Sequence, residues 1–306
     1  MLRRPLGTTG LTVSEIGFGA ASWWGLKAMD EAEAIRLVHA ALEGGVTLFD
    51  TGAAYSGGEA EPRLGRALKG RDPARLVVAT KAGTHFANGK VRRDVSPAGV
   101  TASAQRSLKT LGLDVLPLLQ LHGPSIAELT DELLGALEDL KARGLVRALG
   151  VNSFDPAVIE HAIGLPAIDV VMVDYNVLRP EREPLIARAA AAGKGVLAGM
   201  PLAMGHLGLR LHKVGGARDL WYAARALARH RGEVARGLGF GFLNRLPDMT
   251  GAQAALAYVL AGPGVSAAVV GATRLPHLRD NLAASGLALR PEVLQEIHRR
   301  QRGLRG

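Results

Sequence analysis

The sequence contains no cysteine, although it runs to 306 residues. Without thiols the chain can form no disulfide bond, no thiolate zinc site and no cysteine nucleophile, and this composition is typical of a reducing compartment. The first residues, MLRRPLGTTG, lack the apolar stretch of a signal peptide, and no apolar run reaches the ~18 residues that span a membrane. We therefore expect a cytoplasmic protein with no membrane partner.

Two binding signatures are also missing. The nine histidines include no pair spaced as in HExxH, so we expect no metal site. The stretch GFGAAS begins like a dinucleotide fingerprint, but it lacks the third glycine and a free acidic residue after the next strand. The sequence therefore argues against a Rossmann domain.

Acidic residues are fewer than basic ones, 28 against 37, and the formal net charge is +9. The basic residues concentrate in residues 210–245 and in the tail IHRRQRGLRG, and they do not form one block with interleaved aromatic side chains. A solvated basic surface explains this pattern better than a nucleic-acid footprint, so no nucleic-acid partner is expected. A third interpretation is that a few arginines contact an anionic cofactor.

Short apolar runs alternate with amphipathic helices along the chain. The predicted strands are residues 16–19, 47–50, 76–80, 116–120, 147–151, 170–173, 196–198 and 267–270. The predicted helices include residues 31–42, 97–111, 127–142, 156–162, 183–191, 251–261 and 276–284. Helix starts are indicated by Ser96 and Asp155, each followed by proline, and by Thr250. Because about eight βα units follow one another without a break in composition, a closed (β/α)₈ TIM barrel is favoured over an open sheet.

The fold class expected is therefore α/β, as one barrel domain over residues 1–306 with a C-terminal extra helix. The segment LRRPLGTTGLTVSE predicts a β-hairpin that turns at Gly7 and Gly10 and plugs the bottom of the barrel. Residues 205–247 are too many for a plain loop, so they are interpreted as an insertion over the top.

Three successive strands end in ionisable residues, namely Asp50, Lys81 and His122, and Tyr55 lies in the loop after the second strand. In a barrel of this class the carboxyl ends of the strands meet at one mouth, where functional groups belong. Each residue alone has an ordinary structural explanation. Four of them on adjacent strand ends predict a site.

These four side chains form a consistent acid–base set. Tyrosine has an ordinary pKa of ~10, and a nearby ammonium such as Lys81 is expected to lower it towards neutral pH. A buried ammonium needs a carboxylate, which Asp50 supplies. A neutral His122 can donate a hydrogen bond to a substrate oxygen. The set predicts a proton donor aimed at a carbonyl, and the missing reductant must be a cofactor.

The chain resembles the aldo-keto reductase superfamily over nearly its whole length. The resemblance lies in the motifs IGFGAAS, FDTGAAYSGGEAE, VVATK, DVSPAGVTASAQRSLKTLGLD, LLQLHGP, LKARGLVRALGVNSF, GMPLAMGHL and VVGATRLPHLRDNL. It implies that Tyr55 is the general acid, that Lys81 tunes it, that Asp50 holds Lys81 and that His122 orients the carbonyl. The implied chemistry is hydride transfer from a nicotinamide to a carbonyl carbon.

The resemblance also implies the residues that contact the cofactor. They are Gly19, Ala20, Asp50, Asn152, Ser153, Pro201, Leu202, Gly271, Thr273, Arg274, His277 and Asn281. Arg274 is the implied contact of an adenosine 2′-phosphate, which favours NADP(H), with NAD(H) possible. Asn152-Ser153 inverts the family's Ser-Asn pair, Met172 replaces a glutamine, and Gly199 replaces an aromatic that often stacks on the nicotinamide. These replacements are similar to those of aldose- or galactose-dehydrogenase-like members.

The candidate lining of the substrate pocket is aromatic. It comprises Trp23, Trp24, His85, Phe86 and Trp221. The expected activity is reduction of an aldehyde or ketone with NADP(H), and the expected partner is a small carbonyl or sugar substrate. Two alternatives stay open: an NAD(P)⁺-dependent aldose 1-dehydrogenase, and a cofactor-binding regulatory subunit with little turnover.

Overall fold

A computed structural model of the chain describes residues 1–203, 220, 224 and 231–303. The strands are β1 Arg3–Pro5, β2 Thr12–Ser14, β3 Ile16–Gly19, β4 Leu48–Asp50, β5 Val77–Ala82, β6 Thr84–Ala87, β7 Lys90–Arg93, β8 Leu116–His122, β9 Val146–Asn152, β10 Val170–Asp174, β11 Gly195–Gly199 and β12 Ala267–Val270. The helices are α1 Glu31–Glu43, α2 Ala60–Leu68, α3 Pro97–Leu111, α4 Asp131–Ala142, α5 Pro156–Ile163, α6 Glu183–Ala191, α7 Arg231–Leu238, α8 Gly251–Leu260, α9 Leu275–Leu282 and α10 Pro291–Arg302.

Eight parallel strands close into a barrel in the order β10-β11-β12-β3-β4-β5-β8-β9. The expected (β/α)₈ fold is therefore confirmed, and α10 is the extra C-terminal helix. The register pairs Gly19 with Asp50, Asp50 with Ala79, and His122 with Asn152. Neighbouring strands thus run the same way, and their carboxyl ends share one mouth.

The apolar core has two layers. The larger one fills the space between the barrel and its helices, and the smaller one lies inside the barrel. The inner layer includes Leu48, Ala79 and Leu118 from successive strands. Side chains alternate along a strand, so the residues two or four positions after these three also face the barrel interior. They lie nearer the carboxyl ends of the strands, at the mouth.

The N-terminal hairpin β1–β2 plugs the other end of the barrel, as the sequence predicts. Leu6, Leu11 and Val13 are buried in the inner layer. Gly7 adopts φ +55°, and a Cβ there would lie 2.3 Å from the backbone nitrogen of Gly195. Only glycine lets the turn pack this closely against the start of β11.

The predicted helix starts are confirmed by their caps. The backbone N–H groups of Gly99, Ala157 and Gln253 donate to the side chains of the preceding cap residues at 3.0, 2.9 and 3.2 Å. The start of α4 was predicted too early. A 3-10 turn, Ile126–Glu128, comes first, and Thr130 caps the helix by accepting from the backbone N–H of Leu133.

Two elements were not predicted, helix α2 and the small hairpin β6–β7 after the third barrel strand. The turn between β6 and β7 is Asn88-Gly89, and both residues have positive φ, 51° and 74°. This dipeptide is the strongest short-range hairpin signal in a sequence. Its presence between two four-residue runs could have revealed the hairpin.

Most of the predicted insertion, including Trp221, lies outside the described residues. The part from residue 231 contains α7, whose Glu233 forms an ion pair with Arg179. Arg179 in turn pairs with Asp174 at the end of β10, at 3.0 Å. Across residues 1–203 and 231–303, no helix is long and apolar enough to cross a membrane.

Candidate active site

Strand alternation brings the predicted ionisable residues together at the mouth. Leu48 of β4 and Ala79 of β5 face the interior, so Asp50 and Lys81 face the same way two residues later. His122 is the last residue of β8 and also faces inward. The three side chains come from neighbouring strands of the barrel.

Lys81 and Asp50 form a buried ion pair. The Lys81 ammonium donates to both carboxylate oxygens of Asp50, at 2.7 and 2.8 Å, and to the backbone oxygen of Thr51 at 2.9 Å. Lys81 is 0% exposed. The side-chain amide of Gln120 donates to the same carboxylate at 3.2 Å. The Lys81 ammonium is therefore satisfied inside the protein, and it also interacts with the Tyr55 hydroxyl.

The pair keeps the ammonium charged. Burial alone would lower the pKa of Lys81, but Asp50 and Tyr55 act against it, and the pKa ends above its ordinary value. A buried charge without its partner costs about 3–5 kcal/mol, so the two residues depend on each other.

Tyr55 begins a 3-10 turn, Tyr55–Gly58, directly after β4. The turn contains Ser56 at φ 55°, and the hydroxyl of Ser56 donates to the backbone oxygen of Ser22 at 2.7 Å. The Lys81 ammonium lies 4.9 Å from the centroid of the Tyr55 ring. The ring of His122 meets the Tyr55 ring edge-on, with centroids 5.5 Å apart. The structure thus brings all four predicted residues together.

The expected lowering of the Tyr55 pKa by Lys81 is wrong. Burial of the hydroxyl raises the pKa of Tyr55, and the Lys81 ammonium offsets this only in part, while Asp50 adds to it. Desolvation outweighs the neighbouring charge because the ammonium is already neutralised by its carboxylate. The phenol is consequently protonated at neutral pH.

His122 is neutral at physiological pH, as the acid–base set requires. Burial, together with the positive charges of Lys81 and Arg93, lowers the pKa of His122 to about 4. Its Nδ1 atom lies 2.6 Å from the hydroxyl of Thr84 on β6. Sequence reasoning missed Thr84, since it missed the hairpin that carries it.

The far side of the mouth has little side-chain bulk. Gly19 ends β3 and Gly271 follows β12, and a Cβ on either would lie 3.4 Å from the other's backbone. Ala20 is buried beside them, and its backbone N–H donates to the oxygen of Asp50 at 2.8 Å. Neither glycine adds a side chain at this edge of the mouth, which fits a flat nicotinamide ring.

The implied phosphate-binding residues surround the start of α9. Thr273 and Arg274 precede the helix, Arg274 is its N-cap without a side-chain cap hydrogen bond, and His277 is exposed in the first turn. The first-turn N–H groups and the helix dipole favour an anion at this end. Asn281 is buried two turns further along. This donor set suits the phosphates of a dinucleotide.

Asn152 and Ser153 have different surroundings. Asn152 ends β9 and is 6% exposed, facing the interior by alternation. The hydroxyl of Ser153 accepts the backbone N–H of Asp155 at 3.1 Å and so stabilises the turn into α5. Of the pair, Asn152 is the residue whose amide can reach a ligand at the mouth.

Gly199 ends β11, and Pro201 and Leu202 lie in the turn that follows. Met200 in this turn has φ 53°, and its backbone oxygen accepts from the side-chain amide of Asn176 at 3.1 Å. A Cβ on Gly199 would lie 3.1 Å from the Met172 methyl group and 3.7 Å from the Phe154 ring. Phe154 is 46% exposed, and its ring occupies the space beside the missing side chain.

Two of the predicted pocket aromatics need correction. Trp24 does not line a pocket: it is 1% exposed, its indole N–H donates to Ala34 at 3.0 Å, and its ring packs edge-on against Phe18. The loop turns this side chain into the core, where a large apolar ring is most stable. His85 lies on the opposite face of β6 from Thr84, so it points away from His122.

Two other pocket candidates, Trp23 and Phe86, lie in segments that follow the barrel strands β3 and β5. Trp23 is half-buried beside Trp24 in the loop after β3. Phe86 is 37% exposed, and a Cβ on Gly58 would lie 3.2 Å from it, so it packs over the turn that follows Tyr55. Trp221 lies outside the described residues.

Asp174 is a further buried ionisable residue at the mouth that sequence reasoning missed. It ends β10, is 1% exposed and pairs with the guanidinium of Arg182 at 2.9 Å. Burial raises the pKa of Asp174, against the effect of Arg182 and Arg179. The signal was available, because VVMVD ends an apolar run on a carboxylate as TLFD does.

Known proteins share this architecture. Residues 15–301 match the sequence model of the Aldo/keto reductase family. The chain is similar to the uncharacterized oxidoreductase YqkF of Bacillus subtilis (strain 168), at 29% identity over 99% of this chain and 100% of that protein. It is 30% identical to L-galactose dehydrogenase of Arabidopsis thaliana, over 96% of this chain and 92% of that protein.

Solved structures agree. The fold is similar to the holo form of the aldo-keto reductase AKR11C1 from Bacillus halodurans, with a TM-score of 0.81 and 31% identity over 98% of this chain and 96% of that one. The family match spans nearly the whole chain and includes every strand of the barrel. The chain therefore belongs to the aldo/keto reductase family and is an NAD(P)H-dependent oxidoreductase.

Proposed function

We propose that the protein reduces an aldehyde or ketone to an alcohol with NADPH, and that Tyr55 is the general acid. The observation that carries the proposal is the buried pair of Lys81 and Asp50 beneath the Tyr55 ring, with the neutral His122 edge-on beside it. This set can donate one proton and stabilise the charge left behind. It contains no activated nucleophile, so covalent catalysis is not part of the proposal.

The protein's own residues handle the proton. As a carbonyl oxygen gains negative charge it becomes more basic than a phenolate, so the Tyr55 hydroxyl gives up its proton to it. The Lys81 ammonium then stabilises the phenolate, and Asp50 keeps that ammonium charged. His122, being neutral, can donate a hydrogen bond to the same substrate oxygen without competing as an acid.

The bound cofactor supplies the hydride. Gly19, Gly271 and Asn152 are proposed to face its nicotinamide half, and the start of α9 its phosphates. NADP(H) is favoured over NAD(H) because Arg274 stands at the N-terminus of α9, where a 2′-phosphate would gain both the dipole and a guanidinium.

Phe154 is proposed to supply the aromatic wall that is missing at Gly199. Its ring lies 3.7 Å from the position of a Cβ at residue 199 and is 46% exposed. An exposed ring beside the mouth offers a flat face on which another ring can stack. A nicotinamide or substrate ring stacked on Phe154 would cover it.

Oxidation of an aldose is the second candidate, because L-galactose dehydrogenase of Arabidopsis thaliana is 30% identical over 96% of this chain. The same residues serve both directions, with Tyr55 as acid in one and its phenolate as base in the other. Initial rates with aldehydes and NADPH, and with aldoses and NADP⁺, separate the two. Tight cofactor binding without turnover in either direction would instead favour a regulatory subunit.

Replacing Tyr55 with phenylalanine removes only the proton donor. We expect Tyr55→Phe to lower kcat for aldehyde reduction by about 10²-fold or more, since general acids contribute on that scale. Stopped-flow or steady-state assays measure the rate, and fluorescence titration should give an unchanged Kd for NADPH. The matched control is Tyr258→Phe, whose hydroxyl contacts Glu183 and Gln301 away from the mouth. Near-normal kcat in Tyr55→Phe would refute the acid assignment.

The raised pKa of Tyr55 predicts opposite pH profiles for the two directions. Reduction needs the protonated phenol, so its rate should be level across neutral pH and fall only as pH rises through the Tyr55 pKa. Oxidation needs the phenolate, so its rate should climb with pH over the alkaline range. Loss of reduction on the acid side should appear only near the His122 pKa of about 4. Parallel profiles in the two directions would contradict the assignment.

Arg274→Ala should weaken NADPH more than NADH. A charge-assisted hydrogen bond is worth about 1.5–3 kcal/mol, so the Kd for NADPH should rise about tenfold or more while that for NADH changes little. Fluorescence titration measures both. Arg279→Ala, an exposed arginine of the last turn of α9, is the control. Equal effects on both cofactors would remove the 2′-phosphate assignment.

Phe154→Ala should raise the Kd for NADPH by about threefold to tenfold, because an aromatic stacking contact is worth ~0.5–1.5 kcal/mol. Phe86→Ala is the matched control: it removes another exposed ring but should leave cofactor affinity unchanged. Adding Gly199→Phe to Phe154→Ala should restore binding, because it supplies a new ring at the same place. The Met172 methyl group, 3.1 Å from the position of the new Cβ, is the end of a flexible side chain and can move aside. If Phe154→Ala binds both cofactors normally, the ring is not part of the cofactor site.

A further inference from the structure

The hairpin β6–β7 contacts His122 at two points. On one strand, the Thr84 hydroxyl oxygen lies 2.6 Å from Nδ1 of the His122 ring. On the other, the Arg93 guanidinium donates to the backbone oxygens of His122 and Gly123, at 3.3 and 3.0 Å. Thr84 and Arg93 are cross-strand partners in the hairpin. One register pair of a small surface hairpin therefore holds both the ring and the backbone of a residue in the mouth.

We propose that Thr84 is a positioning residue, which donates its hydroxyl proton to Nδ1 and thereby fixes His122 in the tautomer that carries its proton on Nε2. The inference rests on the proposed function, in which His122 donates to the substrate oxygen. A neutral imidazole has one donor and one acceptor nitrogen. If Nδ1 accepts from Thr84, Nε2–H is left as the donor.

The count of donors and acceptors favours this direction. Within residues 1–203 and 231–303, the Thr84 hydroxyl has a hydrogen bond only to Nδ1, and Nε2 has none. If Nδ1 instead donated to the Thr84 oxygen, the Thr84 hydroxyl proton would have no acceptor in this pair. Nε2 would then carry a lone pair and could not donate to a ligand at the mouth. With Thr84 donating, both members of the pair are satisfied, and the remaining ring proton is free for a ligand.

The hairpin also fixes the position of the ring. Arg93 forms an ion pair with Glu128 at 2.5 Å, which ties the hairpin to the 3-10 turn that follows β8. The edge-on contact with Tyr55, centroids 5.5 Å apart, limits rotation of the ring from the other side. Thr84 thus acts on a ring whose place is already set, and its hydroxyl decides which nitrogen carries the proton.

The test is the tautomer of His122 measured by ¹⁵N NMR on histidine-labelled protein, with a His122→Gln variant to assign the signals. We expect the wild type and Thr84→Ser to show the Nε2–H form. Thr84→Val keeps the shape of threonine but lacks the hydroxyl, so its His122 should show a mixed or Nδ1–H form. Thr101→Val is the matched control, because that hydroxyl donates to the Pro97 backbone on α3.

Kinetics complete the test. Thr84→Val should lower kcat/KM about fivefold to tenfold, the size of one net hydrogen bond, with an unchanged Kd for NADPH, and Thr84→Ser should restore the rate. A wild type in the Nδ1–H form, or a Thr84→Val protein with unchanged His122 signals, overturns the proposal. If Thr84→Val shifts the His122 tautomer but leaves the rate unchanged, Thr84 still sets the tautomer. In that case His122 has no part in the proposed reaction. A wild type in the Nδ1–H form overturns the proposal even if Thr84→Val folds poorly, and Thr84→Ala then serves as the second variant without the hydroxyl.

Discussion

The ion pair between Lys81 and Asp50 is the contact on which the mouth of the barrel depends, because neither charge is stable there alone. Lys81 is 0% exposed, and its ammonium donates to both carboxylate oxygens of Asp50 and to the backbone oxygen of Thr51. Removing a charge from water is costly, and only a partner at hydrogen-bond distance offsets that cost. Closure of the barrel provides the partner, since β4 and β5 are neighbours in register. The pair holds the charged Lys81 ammonium in a fixed place, 4.9 Å from the centroid of the Tyr55 ring.

The mouth has two unlike halves around this pair. The strands β4, β5 and β8 carry the ionisable side chains, and the hairpin β6–β7 braces His122 among them. On the other side of β4, the strands β3, β12 and β11 carry glycine at or just after their ends, with Gly19 and Gly199 as the last residues of β3 and β11 and Gly271 directly after β12. Charged and polar groups on one side and residues without side chains on the other suit a flat cofactor lying between the Tyr55 hydroxyl and the barrel wall.

Much of the fold and the site was predictable, and the misses have physical causes. Alternating apolar runs and helix caps predicted all eight barrel strands, because both are local signals. The Asn88-Gly89 turn is an equally local signal. Without it, the hairpin β6–β7 and its residue Thr84, which contacts His122, were not predicted. Trp24 could not be assigned from sequence, because a tryptophan in a loop packs inward or outward according to neighbours that arrive from elsewhere in the chain. Here Phe18 and the helix α1 draw it into the core.

The sequence by itself determined the order of strands and helices, the plug, and the identity of Tyr55 and of the three ionisable residues on the strands, since these depend on periodicity, turn residues and motif. Only the tertiary structure decided how those residues behave. The Tyr55 pKa is raised instead of lowered, because it follows from burial that barrel closure creates and from an ammonium already neutralised by Asp50. The contact of Thr84 with His122 joins residues 38 positions apart. Such effects depend on distances through space, which neither composition nor spacing encodes.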